Sequence, residues 1–394
     1  TNFAISNVNA IFHVFGSSTQ LSFVNIIVPM GISFYTFQSV GYLIDVYRGK
    51  YKAEKNLAKF ALFVSFFSQL IAGPIVLHQE MIPQFRDPKR KVFNQDKMAK
   101  GIWWLAIGLA KKVLIADTLG KGVDWGYASP QLLGSFDTIL LSFMYTLQIY
   151  FDFSGYCDMA SGVASMFGFE LPRNFNSPYK ATSINDFWDR WHMSLSRFLQ
   201  KYIYIPLGGN RKGLTRTLLN IMIVFLISGI WHGAAWTFIA WGLIHGLASV
   251  IHRLIAPGWK RIPKVLTWFM TFLFINFTWI FFRAGDFEQV KVLFSNLLKP
   301  FRFSIAQGLQ EQFHYLEFTY LADHISFLGD LFGKYPGLPM WIVFSVALFI
   351  ALIPRNCQEK RYSPTVINAI YSVILLVWSI MSFSGISIFL YFNF

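Results

Sequence analysis

The sequence predicts an all-α, polytopic membrane protein. Of its 394 residues, 54% are hydrophobic and only 14% are charged, whereas a soluble domain carries about 25% charged residues. The mean hydropathy is +0.44. Several apolar runs approach the roughly 20 residues that a helix needs to cross a hydrocarbon core of about 30 Å. The chain is therefore expected to lie largely within a bilayer.

The apolar runs predict nine membrane segments. They lie near 21–44, 57–77, 101–119, 136–156, 217–233, 234–252, 265–283, 338–354 and 365–383. Basic residues accumulate in cytoplasmic loops. The loops 48–59 and 86–100 are both basic and should both be cytoplasmic, while 120–135 and 284–337 should lie outside.

The segment 57–77 has a basic loop on each side, which is incompatible with a simple crossing. The stretch "IAGPIV" supplies a break at Gly73-Pro74. Irregular backbone at membrane depth is tolerated where protein buries it or where it lines a wet cavity. We therefore expect 57–77 to be re-entrant.

The net charge of +14 raises the possibility of a nucleic-acid partner, but the sequence has no zinc-finger, RNP or basic-helix pattern. The basic residues flank apolar spans instead. Two distant cysteines, Cys157 and Cys357, cannot form a disulfide framework and are expected to be buried free thiols.

The basic segment 170–216 is expected to form helices and loops at the cytoplasmic face. Within it, "SINDFWDRWHMSLSRFL" begins with a capping box of Ser183 and Asp186. Its apolar residues then recur at helical spacing on one side, at Ile184, Phe187, Trp188, Trp191, Leu195 and Phe198. This pattern predicts one amphipathic helix at the membrane interface, with His192 on the apolar side.

A second segment, "GIWHGAAWTFIAWGLIHG" (229–246), carries His232 and His245 through an apolar run. The 36 residues between Arg216 and Arg253 contain no Asp, Glu, Lys or Arg. One helix of that length would extend about 54 Å, too long for a bilayer core, so the chain must break near its middle. The break should fall between Gly229 and Gly233, at His232.

Three roles are open to His232. It could be a packed histidine hydrogen-bonded between helices, although an ionisable residue inside a span marks a functional site by default. A metal is disfavoured, because His232 and His245 are thirteen residues apart with no nearby carboxylate. The third role is a general base that takes a proton from an attacking hydroxyl. No G-x-S-x-G elbow indicates a serine nucleophile.

Four motifs resemble the membrane-bound O-acyltransferase (MBOAT) family, and in particular its bacterial branch that O-acetylates alginate or peptidoglycan. They are "FDFSGYCDMA" (151–160), "LPRNFNSPY" (171–179), "DFWDRWHMSLSRFLQKYIYIPLGGNRKG" (186–213) and "GIWHGAAWTFIAWGLIHG". The resemblance implies one transmembrane domain over 1–394, with re-entrant and interfacial helices around a central tunnel. Because relatives have further spans before this point, an N-terminal portion is expected to precede residue 1.

The resemblance also implies site residues and substrates. His232 matches the family's essential histidine and His192 its second functional histidine, while His245 is less secure. Supporting roles are expected for Arg190, Trp191, Ser194, Trp231 and His245. The implied acyl donor is cytoplasmic acetyl-CoA. Its phosphates could contact the basic turn Asn210, Arg211 and Lys212, although a solvated loop explains that turn equally well.

No permanently bound cofactor or metal is expected. The implied acceptor is an exported polysaccharide, reached through a periplasmic SGNH-type transferase, at a bacterial cytoplasmic membrane. Three alternatives stay open: D-alanyl transfer to teichoic acid, a transporter or channel, and a non-catalytic scaffold. A transporter would need coupling carboxylates inside the membrane, whereas Asp152 and Asp158 are expected near the end of a span.

Overall fold

The structure is a computed structural model that describes residues 2–15, 19–25, 29, 31–313, 316–360, 362–383 and 389–390. The described residues contain helices, turns and loops but no strand, which confirms the all-α prediction. The first helices are α1 (Asn2–Val14), α2 (Ile32–Tyr47), α3 (Leu57–Val64), α4 (His78–Arg86), α5 (Gln95–Ala110), α6 (Asp117–Ala128) and α7 (Ser135–Met166). A π-helical segment, Lys111–Ala116, joins α5 to α6.

The remaining helices complete the bundle. They are α8 (Ile184–Trp188), α9 (Met193–Leu199), α10 (Leu214–His232), α11 (Trp236–Trp259), α12 (Lys264–Arg283), α13 (Phe287–Leu297), α14 (Gln307–Glu311), α15 (Leu316–His324), α16 (Ser326–Lys334), α17 (Leu338–Leu352) and α18 (Val366–Met381). A second π-helical segment, Gln200–Tyr204, follows α9.

Four described segments are long and apolar enough to cross a membrane. They are Leu214–His232, Trp236–Trp259, Lys264–Arg283 and Leu338–Glu359, and Val366–Met381 is a shorter apolar helix. These positions agree with the last five predicted spans. In the first predicted span, 21–44, residues 26–28 and 30 lie outside the described residues, and helix α2 begins only at Ile32.

The centre of the bundle is α7, whose 32 residues extend about 48 Å. Most of its side chains are buried, and α5 packs along it through paired glycines. A Cβ atom on Gly101 would lie 2.6 Å from the Gly162 carbonyl oxygen, and one on Gly108 would lie 2.6 Å from that of Gly155. Small residues at both contacts allow the two backbones to approach closely, as in other membrane helix pairs.

The predicted segment 57–77 is interrupted, as expected from its Gly-Pro pair. Helix α3 has only eight residues and ends at Val64, well before the break. Turns follow, and the irregular stretch 72–77 is buried. The Ile75 N–H donates to the Ser194 hydroxyl over 2.9 Å, and the Ile75 carbonyl accepts from Arg197 over 3.2 Å. The protein therefore supplies the partners that irregular backbone needs away from water.

Two predictions about the centre of the chain are wrong. The loop expected at 120–135 is helical as far as Ala128, since close-packed glycines at 120, 122 and 126 let α6 lie against its neighbours. Asp152 and Asp158 are not at the end of a span but inside α7 and buried. Each carboxylate forms an ion pair with a lysine of the π segment before α6.

The amphipathic helix predicted over 183–199 is also wrong as a single element. The Ser183 hydroxyl accepts from the Asp186 N–H as predicted, but α8 ends at Trp188 and α9 begins at Met193. The irregular segment 174–176 packs against the break between them and bonds to the backbone of Arg190 and Met193. The apolar side chains of both helices pack into the protein core instead of facing lipid.

Candidate active site

His232 lies at the break between two close-packed helices. Helix α10 ends at His232 and α11 begins at Trp236, which confirms the predicted break. The helices meet at glycines: a Cβ atom on Gly229 would lie 2.5 Å from the Phe238 carbonyl oxygen. The His232 side chain is buried, with 7% exposed, although it sits at the end of its helix.

The His232 ring is surrounded by aromatic rings. Its centroid lies 4.8 Å from that of Trp231, 5.1 Å from Trp241 and 5.1 Å from Phe282, all in edge-on geometry. These edge-on contacts orient the His232 ring. The imidazole is therefore buried and packed on several sides by aromatic rings.

His192 reaches the same aromatic surroundings from the broken 184–199 segment. It is fully buried and adopts a left-handed backbone conformation, with φ 46° and ψ 51°, immediately before α9. This conformation is uncommon for a residue with a Cβ atom and indicates that the surrounding structure requires it. His192 lies 4.7 Å from the Phe153 ring and 6.2 Å from Trp231, measured between centroids.

One nitrogen of His192 is held by Asn174. The His192 Nδ1 lies 3.2 Å from the Asn174 Oδ1, which also accepts from the Ser194 N–H over 3.1 Å and from its hydroxyl over 2.9 Å. Because this amide oxygen is an acceptor, the His192 Nδ1 carries the proton and Nε2 keeps its lone pair. The ring is thereby fixed in one orientation and one tautomer.

Two tryptophans contact the three histidines predicted from the sequence. Trp231 contacts both His192 and His232, and Trp241 contacts His232 and, with centroids 4.8 Å apart, His245. We call these five residues the histidine cluster. Residues forty positions apart in the sequence thus converge in one buried aromatic cluster.

His245 differs from the other two in its hydrogen bonds. The Trp188 indole N–H donates to its Nδ1 over 3.3 Å, and its Nε2 lies 2.9 Å from the Thr278 hydroxyl oxygen. That hydroxyl donates in turn to the Ile275 carbonyl, so the His245 Nε2 is the donor. Both ring nitrogens of His245 are therefore hydrogen-bonded to other parts of the protein. Such bonds hold neighbouring helices in place.

The supporting residues fall into two groups. Trp191 is buried and stacks on Phe187 with centroids 5.6 Å apart, while Arg190 pairs with Asp186 over 2.6 Å. These contacts hold the turn before His192. Ser194 has a more direct role than predicted, since it joins the Asn174 amide to the irregular backbone at Ile75.

Asn174 was missed as a site residue. Its Nδ2 donates to the Cys157 thiol over 3.3 Å, and both cysteines are free and buried, as predicted. The only available signal was its place in "LPRNFNSPY". An asparagine in a polar loop gives no local indication that its side chain will be completely buried beside a histidine.

The predicted donor-binding turn makes no described contact with the histidine cluster. Asn210, Arg211 and Lys212 are exposed in a turn that precedes α10. The Asn220 amide holds that turn by donating to the Gly209 carbonyl over 2.9 Å. The turn is thus a fixed, solvated basic loop, available to an anion but without a contact to any histidine among those described.

The fold and the cluster define a class: a multi-pass, all-helical membrane protein with histidines buried at helix breaks. Residues 54–284 match the model of MBOAT, the membrane-bound O-acyltransferase family, and the chain belongs to this family. The predictions of an acyltransferase and of a bacterial-type multi-pass membrane protein are thereby confirmed.

The chain is similar to three kinds of named acyltransferase. It is 36% identical to a peptidoglycan O-acetyltransferase of Helicobacter pylori, across all of this chain and 79% of that protein. It is 43% identical to a probable alginate O-acetylase of Pseudomonas aeruginosa, across 73% of this chain and 54% of that protein. The chain thus spans about half the length of the alginate relative.

A more distant similarity is to the teichoic acid D-alanyltransferase of Bacillus subtilis. The identity is 27%, across 67% of this chain and 71% of that protein. Both O-acetylating relatives are more similar to this chain than this D-alanyl relative, which accords with the branch that the motifs predict.

Proposed function

We propose that the chain transfers an acetyl group from a cytoplasmic donor, acetyl-CoA, toward a hydroxyl of an exported cell-wall polymer. The observation that carries the proposal is the convergence of His192 and His232 on Trp231 in one buried aromatic cluster, each at a helix break. The names of the more similar relatives, which act on peptidoglycan and alginate, support an acetyl group and a polysaccharide acceptor.

His232 is proposed as the general base. Its imidazole takes the proton from the acceptor hydroxyl as the oxygen attacks the thioester carbonyl. The carbon–sulfur bond then breaks, and the departing thiolate receives that proton from the imidazolium. A neutral imidazole suits this role, since a positioned base contributes roughly 10²- to 10⁴-fold to such a step.

His192 is proposed to support the reaction without replacing the base. Asn174 fixes its Nδ1 as a donor, so Nε2 can accept a hydrogen bond from the incoming hydroxyl and hold it in line. Trp231 contacts both histidine rings and so links their positions. This division of roles accounts for two histidines with unlike surroundings.

The remaining components follow from the predicted topology. The donor would arrive from the cytoplasmic face that carries 170–216, where Asn210, Arg211 and Lys212 offer charge to its phosphates. The acceptor would be reached from the opposite face through a periplasmic SGNH-type transferase. The chain is proposed to act at the bacterial cytoplasmic membrane as the transmembrane step of that relay.

The proposal is tested in cells that carry this chain as their sole copy. The variant His232→Ala should reduce base-labile acetate on the cell-wall polymer to the level of a strain that lacks the chain. His324→Ala is the matched control, because His324 is exposed and contacts only Tyr320 among the described ring pairs. Equal amounts of both variants in the membrane, measured by immunoblot, exclude misfolding. Wild-type acetate in the His232→Ala strain contradicts the proposal.

A further inference from the structure

A cavity distinct from the histidine cluster opens beside the start of α4. Its volume is about 480 Å³, and it is lined by Tyr51, Lys52, Ala53, Glu54, Lys55, His78, Gln79, Ile82, Pro83 and Arg86. Those residues come from the loop 51–55 and from helix α4. The loop belongs to the basic segment 48–59 that is predicted to be cytoplasmic. The volume is within the range of about 300–1,000 Å³ for small-molecule sites.

The charges in the wall are unbalanced. Lys52, Lys55 and Arg86 face one carboxylate, Glu54, which is already committed. The Asn56 N–H and the Arg86 guanidinium both bond to Glu54 and hold its pKa below the ordinary value. Neither the Lys52 nor the Lys55 ammonium forms an ion pair with any described residue. The cavity therefore carries excess positive charge.

The rest of the wall is apolar or hydrogen-bonding. His78 packs against the rings of Tyr42 and Phe63, with centroids 4.8 and 5.7 Å away. Burial lowers its pKa, so the ring is neutral near pH 7 and adds no charge. Its two nitrogens have no hydrogen-bond partner among the described residues. A site whose wall carries both apolar side chains and cations suits a molecule that has both a charged and an uncharged part.

The cavity is connected to the histidine cluster through bonded side chains. Glu80, in the first turn of α4, accepts from Arg197 over 3.0 Å, and Arg197 also donates to the Ile75 carbonyl. Ile75 is in turn bonded to Ser194, which shares the Asn174 oxygen with His192. A molecule in the cavity would thus contact helix α4, which is bonded through Glu80 and Arg197 to the residues around His192.

We propose that this cavity binds a phosphate-bearing anion through Lys52, Lys55 and Arg86. Hydrogen bonds from cationic donors to phosphate oxygens are among the strong ones in proteins, and an arginine can supply two at once. Two sources carry this chemistry on the cytoplasmic side: the phosphates of coenzyme A and the headgroup of an anionic lipid. The coenzyme A source rests on the proposed function, whereas the lipid source does not.

The test uses the purified full chain in phosphatidylcholine nanodiscs. Coenzyme A is titrated in one arm, and retention of phosphatidylglycerol is measured by native mass spectrometry in the other. The variant K52Q/K55Q should bind one of these probes about tenfold or more weakly than wild type, because two charge-assisted hydrogen bonds are lost. K89Q/K91Q is the matched control, since both lysines are exposed and lie outside the cavity lining.

The outcomes distinguish coenzyme A from a lipid headgroup as the ligand. They also distinguish anion binding in the cavity from the proposed acetyl transfer. Weaker coenzyme A binding by K52Q/K55Q alone assigns the cavity to the donor, and weaker lipid retention alone assigns it to a headgroup. The His232→Ala variant should bind both probes as wild type does, so a failed acetyl transfer leaves this result unaffected. If K52Q/K55Q binds both probes like wild type, or loses no more than K89Q/K91Q, the inference is overturned.

Discussion

At the scale of single residues, hydrogen bonding distinguishes two of the histidines that the sequence predicts in the site, His192 and His245. His245 is engaged at both ring nitrogens, by Trp188 and Thr278. His192 is engaged through Nδ1 by Asn174. Local sequence placed both of them in apolar surroundings, but the partners of each ring are tens of residues away and could not be predicted.

His245 should affect stability more than catalysis. The change His245→Leu leaves the Trp188 N–H and the Thr278 hydroxyl without their buried partner, which costs about 1–3 kcal/mol. We expect a lower unfolding midpoint in detergent, with acetyl transfer per folded molecule close to that of wild type. His245→Gln, which keeps one donor and one acceptor, should recover part of the midpoint. A His245→Leu protein that melts like wild type yet transfers nothing contradicts this assignment.

Residue positions could be predicted where the neighbouring sequence alone determines the structure. His232 could be placed at a break because 36 uncharged residues exceed one membrane crossing, and Gly229 allows the close approach of α10 and α11. Asn174 could not be found in this way, because its role depends on His192 and Ser194 reaching it across a loop.

At the scale of elements, the π segment Lys111–Ala116 supplies the two lysines that pair with the buried carboxylates of α7. Lys111 bonds to Asp158 and Lys112 to Asp152, each over 2.6 Å, although the two lysines are adjacent in sequence. A π turn inside a long helix changes the direction of successive side chains and is found often at functional places. The carboxylates that a transporter could use for coupling are therefore each bound to a lysine.

The Lys111–Asp158 pair should follow the energetics of buried ion pairs. Lys111→Met or Asp158→Leu alone leaves a buried charge without its partner and should cost about 3–5 kcal/mol of unfolding free energy. The double variant K111M/D158L removes both charges and should recover most of that loss. Unfolding of all four proteins in the same detergent measures the coupling. Losses in the double variant that equal the sum of the single losses would show that the pair does not act as a unit.

The elements also show where the sequence could and could not predict the fold. Hydropathy located α10, α11, α12, α17 and α18 well, because each is apolar over most of its own length. The 184–199 helix was predicted as continuous from its periodicity, but it is broken at His192. Backbone bonds from 174–176 to Arg190 and Met193 compete with the helix, and no local pattern reveals them.

At the scale of the whole molecule, three distant parts of the chain meet beside α7, whose Phe153 contacts His192. The irregular stretch at Ile75 is bonded to Ser194 and Arg197, and Ser194 shares the Asn174 amide oxygen with His192. Trp231 contacts His192 and lies next to the break at His232. A buried histidine cluster formed at helix breaks is compatible with group transfer between the two faces of a membrane.

The most direct measurement of the central claim is acetyl transfer by the purified chain in vesicles. Acetyl-labelled acetyl-CoA is supplied at the face that carries 170–216, and labelled acetate esters on an added acceptor polymer, together with its partner transferase, are counted. The account predicts transfer by wild type and by His324→Ala, and a rate about 100-fold or more lower for His232→Ala, because the base is lost. Transfer by folded His232→Ala at the wild-type rate would contradict the account.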